Sequence, residues 1–153
     1  MPPGFTRSLA ERLDNISQIS VKEGEDNDIL LPGHAYIAPG GYHMRVIRES
    51  NNYKLKLSKD APVLGHRPSV NVLMNSIAEL GSQKVIGVIL TGMGSDGAEA
   101  LKYIKNNSGY IIAQDEESCV VFGMPKAAIK LGIVDKVLPI EKIGQEIIKA
   151  MEV

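Results

Sequence analysis

The second half of the chain alternates between short apolar runs and segments in which apolar residues recur every three or four positions. The runs at 85–90 and 110–113 are nearly continuous in apolar residues, which is typical of strands buried on both faces of a parallel sheet. The periodic segments predict helices over 69–80, 98–106 and 140–151, and a shorter helix that ends at Gly132. Strands that alternate with helices predict an α/β fold with a doubly wound, mostly parallel sheet.

The first half has a different pattern, in which short alternating runs are broken by Pro and Gly. A helix is predicted over 7–15 with Thr6 as its cap, followed by a short strand at 16–21. Residues 29–46 predict further β segments, and 53–57 alternates like a strand with one face in solvent. We therefore expect the middle third to form an antiparallel β insertion.

Composition places the chain among single-domain soluble proteins. Its 153 residues, 44% of them hydrophobic and 23% charged, suffice for one domain with a core. A net charge of −1 without a basic tract gives no sign of nucleic-acid binding. No apolar run approaches the ~20 residues of a membrane span, and the single cysteine, Cys119, fits a reducing compartment. We therefore expect a cytoplasmic protein without membrane insertion.

The apolar run at 85–90 leads into a loop that contains three glycines and one carboxylate. Gly92, Gly94 and Gly97 allow the backbone to turn tightly, and Asp96 lies just before the next predicted helix. Such loops stand at the carboxyl edge of a parallel sheet, where open α/β folds place their ligands. Asp96 is therefore either a catalytic group or a helix N-cap. As a catalytic group, its carboxylate is expected to be exposed and to point into a cleft.

The same loop also matches a dinucleotide-binding pattern. Gly92-x-Gly94-x-x-Gly97 has the required glycine spacing, and Asp115 lies where a ribose-binding acid would be. However, Asp96 would stand at the helix N-terminus that a pyrophosphate must occupy. The pattern also normally opens a domain, whereas here it lies past the middle of the chain. A nucleotide-binding module therefore stays an alternative to catalysis.

Five longer blocks occur in order along the chain: Met-Pro-Pro-Gly-Phe-Thr at 1–6, Leu-Pro-Gly-His-Ala-Tyr-Ile-Ala-Pro-Gly at 31–40, His-Arg-Pro-Ser-Val at 66–70, Leu-Thr-Gly-Met-Gly-Ser-Asp-Gly at 90–97 and Ser-Cys-Val-Val-Phe-Gly-Met-Pro at 118–125. Together they closely resemble the catalytic domain of the protein-glutamate methylesterases of bacterial chemotaxis, the CheB family. The resemblance implies hydrolysis of glutamate methyl esters, and deamidation of glutamines, in chemoreceptors. It implies a Ser-His-Asp triad on a doubly wound α/β sheet and no cofactor.

The resemblance assigns the acid of that triad to Asp96. Such an acid holds the imidazole in its useful tautomer while the serine attacks the ester. The backbone N–H of Met93, in the loop with Gly92 and Gly94, is implied as a donor to the oxyanion. The Met93 side chain is expected to fill a gap in the packing instead.

The remaining candidates are three histidines, one arginine and the cysteine. The block that contains His66 and Arg67 recurs in the family near the site, and both residues suit substrate contact as well as local packing. His34 and His43 are expected to be structural, and Cys119 to be a small core residue. The histidine spacing matches no standard metal-ligand pattern, so no metal is expected.

Two parts of the implied triad do not occur in this chain. The family's serine lies in a Gly-x-Ser-x-Gly-Gly loop, and its histidine immediately precedes the block that begins here at Met1. We therefore expect residues 1–153 to be the C-terminal portion of a catalytic domain, inactive alone, without its N-terminal segment and receiver domain. The implied partners are methyl-accepting chemoreceptors and, through the receiver domain, the chemotaxis kinase. The alternative is a non-catalytic module that binds a nucleotide or a receptor.

Overall fold

The computed structural model describes residues 1–81 and 84–152. The chain forms two compact units, Met1–Ile77 and Ala78–Val153. No helix in the described ranges is both long and apolar enough to cross a membrane.

The first unit contains two separate two-stranded sheets. Its elements are α1 (Phe5–Ile16), β1 (Ser20–Glu23), β2 (His34–Ile37), β3 (His43–Glu49), β4 (Asn52–Ser58) and α2 (Val70–Glu79), the last of which runs on past Ile77. β3 and β4 pair antiparallel from His43 opposite Ser58 to Glu49 opposite Asn52. This pair is the antiparallel insertion that the alternating pattern predicts.

β2 departs from the expectation of an antiparallel middle third. It pairs parallel to β1, with Val21 opposite Ala35. Residues 24–33 carry the chain back to the starting end of β1 before β2 begins, so the connection is a crossover and not a hairpin. Parallel strands require such a connection.

The predicted helix cap at Thr6 is wrong. α1 begins at Phe5 after Gly4, whose φ of 90° suits glycine. Thr6 lies in the first turn and is buried, and its hydroxyl donates to Glu23 Oε1 at 2.5 Å. The hydroxyl oxygen of Thr6 also accepts a bond from the Gly40 N–H at 2.9 Å. Thr6 therefore ties α1 to β1 and to a distant turn, and this role depends on tertiary contacts that local spacing does not show.

The second unit has a three-stranded parallel sheet in the order β5-β6-β7. Its elements are β5 (Ile86–Ile89), α3 (Ala98–Asn106), β6 (Tyr110–Gln114), α4 (Met124–Lys130), β7 (Lys136–Leu138) and α5 (Ile140–Met151). The predicted α/β fold with a mostly parallel sheet is confirmed. Because all three strands run the same way, the loops that follow them meet at one edge of this sheet.

The core of the second unit lies where α3 packs on β5 and β6. Leu101 and Ile104 on the helix are buried, as their spacing predicts, and so are Ile111 and Ile112 on β6. A Cβ on Gly87 would stand only 2.5 Å from Leu101 Cδ2. A side chain at position 87 would therefore have to displace Leu101, which is fully buried in this core.

β7 is the one strand of this sheet that the apolar pattern does not predict. It has three residues and lies between Asp135 and Pro139, so it is too short to show a period. Asp135 supports it from one side: its carboxylate accepts a bond from the Ile111 N–H at 2.8 Å, and its own N–H donates to Ile111 O at 2.9 Å.

Candidate active site

The glycine-rich loop connects β5 to α3 at the carboxyl edge of the sheet. Gly94 and Gly97 have φ values of 86° and 93°, a backbone region that favours glycine. Gly97 occupies the N-cap position of α3. Asp96 therefore lies one residue before the cap position, not in it.

Asp96 is buried, with 5% of its surface exposed, so the expectation of an exposed carboxylate is wrong. It is not an unpartnered group, since it takes part in interactions within the protein. Burying a carboxylate is costly unless it is hydrogen-bonded or paired. The acid of a serine-hydrolase triad is itself buried and works by holding a neighbouring imidazole. Burial thus fits a carboxylate that orients another side chain better than one that contacts substrate.

A second loop, at 120–123, fastens the start of the glycine-rich loop. The Gly92 N–H donates to Val121 O at 3.0 Å, and the Gly123 N–H donates to Gly92 O at 3.1 Å. Thr91 Oγ1 accepts bonds from the N–H groups of Val120 and Val121 at 3.1 and 2.9 Å. These bonds fix the backbone on the strand side of Met93.

Two backbone donors follow directly after this fastened stretch. The N–H groups of Met93 and Gly94 donate to no acceptor in the parts of the chain that the structure describes. Adjacent free N–H groups on a fixed backbone are suited to stabilising an oxyanion. The Met93 side chain is 80% exposed, so the expectation that it packs is wrong. Met93 therefore lies in solvent and not in the core.

Gln114 is a residue of this edge that sequence reasoning missed. It ends β6 and is buried, with 2% exposed. Its Oε1 accepts a bond from the Thr91 N–H at 2.8 Å, and its Nε2 donates to Ser118 O at 2.8 Å. The only signal in the sequence is an amide that immediately follows the apolar run 110–113.

The Asp115 carboxylate accepts hydrogen bonds within the turn that it begins. It accepts bonds from the Ser118 hydroxyl at 2.6 Å and from the Ser118 N–H at 2.9 Å. These bonds, the hydroxyl first, lower the pKa of Asp115 below its ordinary value. The dinucleotide alternative needs this carboxylate for a ribose, but the structure shows it bonded to the protein.

His66 and Arg67 lie in the first unit, in a tight turn after β4. His66 is exposed, and its N–H and C=O both pair with Val63. Arg67 Nη1 donates to the carbonyl oxygens of Lys59 and Asp60 at 3.0 and 3.1 Å. Arg67 thus has a packing role, while substrate contact by either side chain stays a prediction.

The other candidates have structural surroundings. His43 is fully buried, and its Nδ1 accepts the Ser69 N–H at 3.2 Å while its Nε2 lies 3.0 Å from Ala61 O. His34 is exposed beside a backbone carbonyl. Cys119 is half-buried, and this burial raises the pKa of its thiol. No three His, Cys, Asp or Glu residues in the described ranges stand together as metal ligands.

The chain closely matches known proteins over almost its whole length. The CheB methylesterase family profile matches residues 1–147. A protein-glutamate methylesterase/protein-glutamine glutaminase of Photorhabdus laumondii is 54% identical over 149 residues, which cover 97% of this chain and 42% of that protein. A Salmonella typhi protein of the same name is 51% identical, with the same two coverages. The chain therefore spans less than half the length of these relatives.

A solved structure agrees with the sequence comparison. The CheB methylesterase catalytic domain of Thermotoga maritima superposes with a TM-score of 0.94 and is 45% identical. The match covers 97% of this chain and 79% of that domain. From its sequence, its fold and its glycine-rich loop, the chain belongs to the CheB methylesterase family.

Proposed function

We propose that this chain carries the acid and the oxyanion loop of a catalytic domain that hydrolyses glutamate methyl esters, and deamidates glutamines, in chemoreceptors. The observation that carries the proposal is the loop between β5 and α3. There a buried carboxylate follows two free backbone donors in a family whose relatives are named for this reaction. Because the chain covers 42% of those relatives, the activity is proposed for the complete protein.

Asp96 acts through an imidazole in this mechanism. A serine oxygen attacks the ester or amide carbon, and the histidine takes the serine's proton and passes it to the departing methanol or ammonia. Water, deprotonated by the same histidine, then cleaves the acyl-serine bond, which frees the glutamate and returns the proton to the serine. The carboxylate stays ionised, holds the imidazole in the required tautomer and stabilises its positive charge. The Gly-x-Ser-x-Gly-Gly loop that carries the family's serine does not occur in these 153 residues. The family's histidine precedes the block that begins here at Met1, so it is not among these residues either.

The Met93 and Gly94 N–H groups stabilise the negative charge that develops on the carbonyl oxygen. Gln114 and Thr91 keep them in place, since their hydrogen bonds fix the backbone just before Met93. Donors that are fixed in advance need no reorganisation as the charge develops.

Apolar side chains around these donors suit a protein substrate. Met93 is 80% exposed and Val120 is 90% exposed, and they belong to two loops that are hydrogen-bonded to each other. Exposed apolar side chains that lie together typically mark a contact surface. We assign this surface to binding of the receptor. We further assign control of the receptor's access to this surface to a receiver domain, which the chemotaxis kinase phosphorylates.

The experiment measures methanol release from methylated receptor. It compares the 153-residue chain with the same chain carrying an N-terminal segment that supplies the Gly-x-Ser-x-Gly-Gly loop and the histidine. We expect turnover from the longer protein alone. In it, Asp96→Asn should lower kcat by about 10⁴-fold, as the same change does in a serine protease, without unfolding it. Ser95→Ala is the matched control at an exposed neighbour and should leave turnover unchanged.

Two outcomes would overturn this proposal. One is turnover by the 153-residue chain that disappears when a serine within it is mutated. The other is stabilisation by NAD that saturates and is lost with a bulky residue at Gly94, because a ligand of the folded state raises Tm by mass action. That result would favour the dinucleotide alternative.

A further inference from the structure

A cavity of about 500 Å³ lies in the second unit, at the edge of the sheet where the three strands begin. Ile86, Tyr110 and Lys136 are the first residues of β5, β6 and β7, and all three line it. The last turns of α5 close one side with Glu146 and Lys149. The glycine-rich loop follows the other end of β5, so this cavity is separate from the candidate active site.

The walls of the cavity are mainly apolar. Val85 and Ile86 contribute from β5 and the residue before it, and Ala150 and Met151 contribute from α5. Its volume falls within the range of about 300–1,000 Å³ that is usual for sites of small organic ligands. The cavity therefore has room for a compact apolar group.

Three lysines add positive charge around this apolar space. Lys84, Lys136 and Lys149 line the cavity, and none of them forms an ion pair with any residue that the structure describes. Lysines gathered without partners repel one another, and an anion between them removes that repulsion. The charge of the cavity thus favours an anion with more than one negative charge.

One acid that the structure describes, Glu146, also lines the cavity, so three lysines face a single carboxylate there. Glu146 accepts a hydrogen bond from the Tyr110 hydroxyl at 2.7 Å, which together with burial raises the pKa of Tyr110 to about 12. Asp135, next to Lys136 in the chain, pairs instead with Lys105 at 2.5 Å. Its second oxygen accepts a bond from the Ile111 N–H.

We propose that this cavity binds a small organic anion that has an apolar body and a doubly negative head group, of which a phosphate monoester is the chemical type. The apolar body lies against Val85, Ile86 and Met151, and the head group lies between the lysines. The site is independent of the triad, because it lies at the opposite edge of the sheet.

The probe for the test is 1-naphthyl phosphate, with 1-naphthol and inorganic phosphate as its two separate halves. Equilibrium dialysis against the full 153-residue chain gives Kd for each. We expect saturable 1:1 binding of the phosphate ester and at least tenfold weaker binding of either half. Chemical acetylation with mass-spectrometric readout should show that the ester protects Lys136 and Lys149 but not the exposed Lys102 and Lys130.

The decisive variant is the double change Lys136→Gln and Lys149→Gln. It should raise Kd about fivefold or more, the loss of two partly exposed ion pairs. The matched control, Lys102→Gln with Lys130→Gln on α3 and α4, changes net charge equally and should leave Kd unchanged. Equal Kd values for both variants, or equal binding of naphthol and its phosphate, would overturn the proposal. Equal Kd values would mean that neither lysine binds the anion. Lys136 would then serve only to keep other strands from pairing with the edge strand β7, and Lys149 only to interact favourably with the C-terminal end of α5.

Discussion

At the scale of single residues, one buried amide holds together the loops that follow β5 and β6. Gln114 accepts from the Thr91 N–H on one side and donates to the Ser118 carbonyl and hydroxyl on the other. All of these groups lie within the sheet edge that carries the proposed oxyanion donors. Losing the amide would therefore lower the free energy of unfolding, because the Thr91 N–H and the Ser118 carbonyl would lose their hydrogen-bond partner.

Gln114→Leu should destabilise the chain by about 2 kcal/mol, because it leaves a donor and an acceptor without partners. Urea unfolding measures this change. The exposed Gln145 on α5 offers a matched control, and Gln145→Leu should stay within about 0.5 kcal/mol of the wild type. Faster hydrogen exchange of the Thr91 N–H should accompany the loss, and unchanged exchange would contradict the role given to Gln114.

Asp115 gives a pH dependence whose sign follows from its lowered pKa. The folded protein holds this carboxylate ionised below its ordinary pKa of 3.8. Its contribution to the free energy of unfolding is therefore complete above that value and is lost as the pH falls through the lower pKa of the folded state. In urea unfolding from about pH 6 to about pH 2, Asp115→Asn should differ from the wild type at the upper end and converge with it at the lower end. Ser118→Ala should reduce that difference, since it removes the hydroxyl donor. A difference that persists at the lowest pH would contradict this account.

At the scale of elements, the loops after β5 and β6 touch backbone to backbone. A Cβ on Gly123 would stand 2.6 Å from Gly92 O and 2.9 Å from Gly94 N. Those atoms belong to the hydrogen-bonded backbone, so they have no side-chain freedom with which to move away. The backbone conformation of Gly123 does not itself require glycine, since a φ of −98° is open to any residue. The requirement for glycine at 123 comes from the close contact alone.

Gly123→Ala should therefore destabilise the chain by more than about 1 kcal/mol. Gly144 is the matched control, because it lies inside α5 and a Cβ added there would meet no atom within 4 Å. Gly144→Ala should stabilise the chain by about 0.5–1 kcal/mol, the cost of glycine in a helix. Thermal unfolding of both variants tests the pair, and two changes of the same sign would contradict the contact argument.

Elements with a long periodic pattern could be predicted from the sequence, and those made by distant contacts could not. The spacing places α3 and α5 at the bounds that the structure gives. β7 has too few residues for a period, and Thr6 serves contacts far along the chain. At the site, glycine spacing and the strand before it indicate the loop with Asp96. The burial of Asp96 and the role of Gln114 depend on which loops meet, and local sequence does not carry that information.

At the scale of the whole molecule, β5 is an end strand of its sheet. Among the described residues it pairs with β6 alone, although its residues are largely apolar. In the matched Thermotoga maritima domain, about a fifth of the chain lies outside the match. An apolar end strand is a template for pairing with another chain.

We therefore expect the 153-residue chain to self-associate with rising concentration. Sedimentation velocity over a concentration series measures this, and Val88→Lys in β5 should weaken the association by placing a charge on the end strand. Val137→Lys in β7, at the other end of the sheet, is the control and should leave association unchanged. A monomer at every concentration would contradict the expectation.

The contact between Gly92 and Met124 has a consequence for how this loop can vary. A Cβ on Gly92 would overlap with Met124 Sδ. The atoms close to Gly123 belong to the backbone and are present whatever the sequence. The sulfur close to Gly92 belongs to a side chain, so replacing Met124 with a smaller residue would remove it. The tolerance of position 92 is thus conditional on position 124, and the effects of changes at the two positions are not additive. In a library of random variants, alanine at 92 should survive mainly in molecules whose residue 124 has become small, so position 92 is expected to change together with position 124.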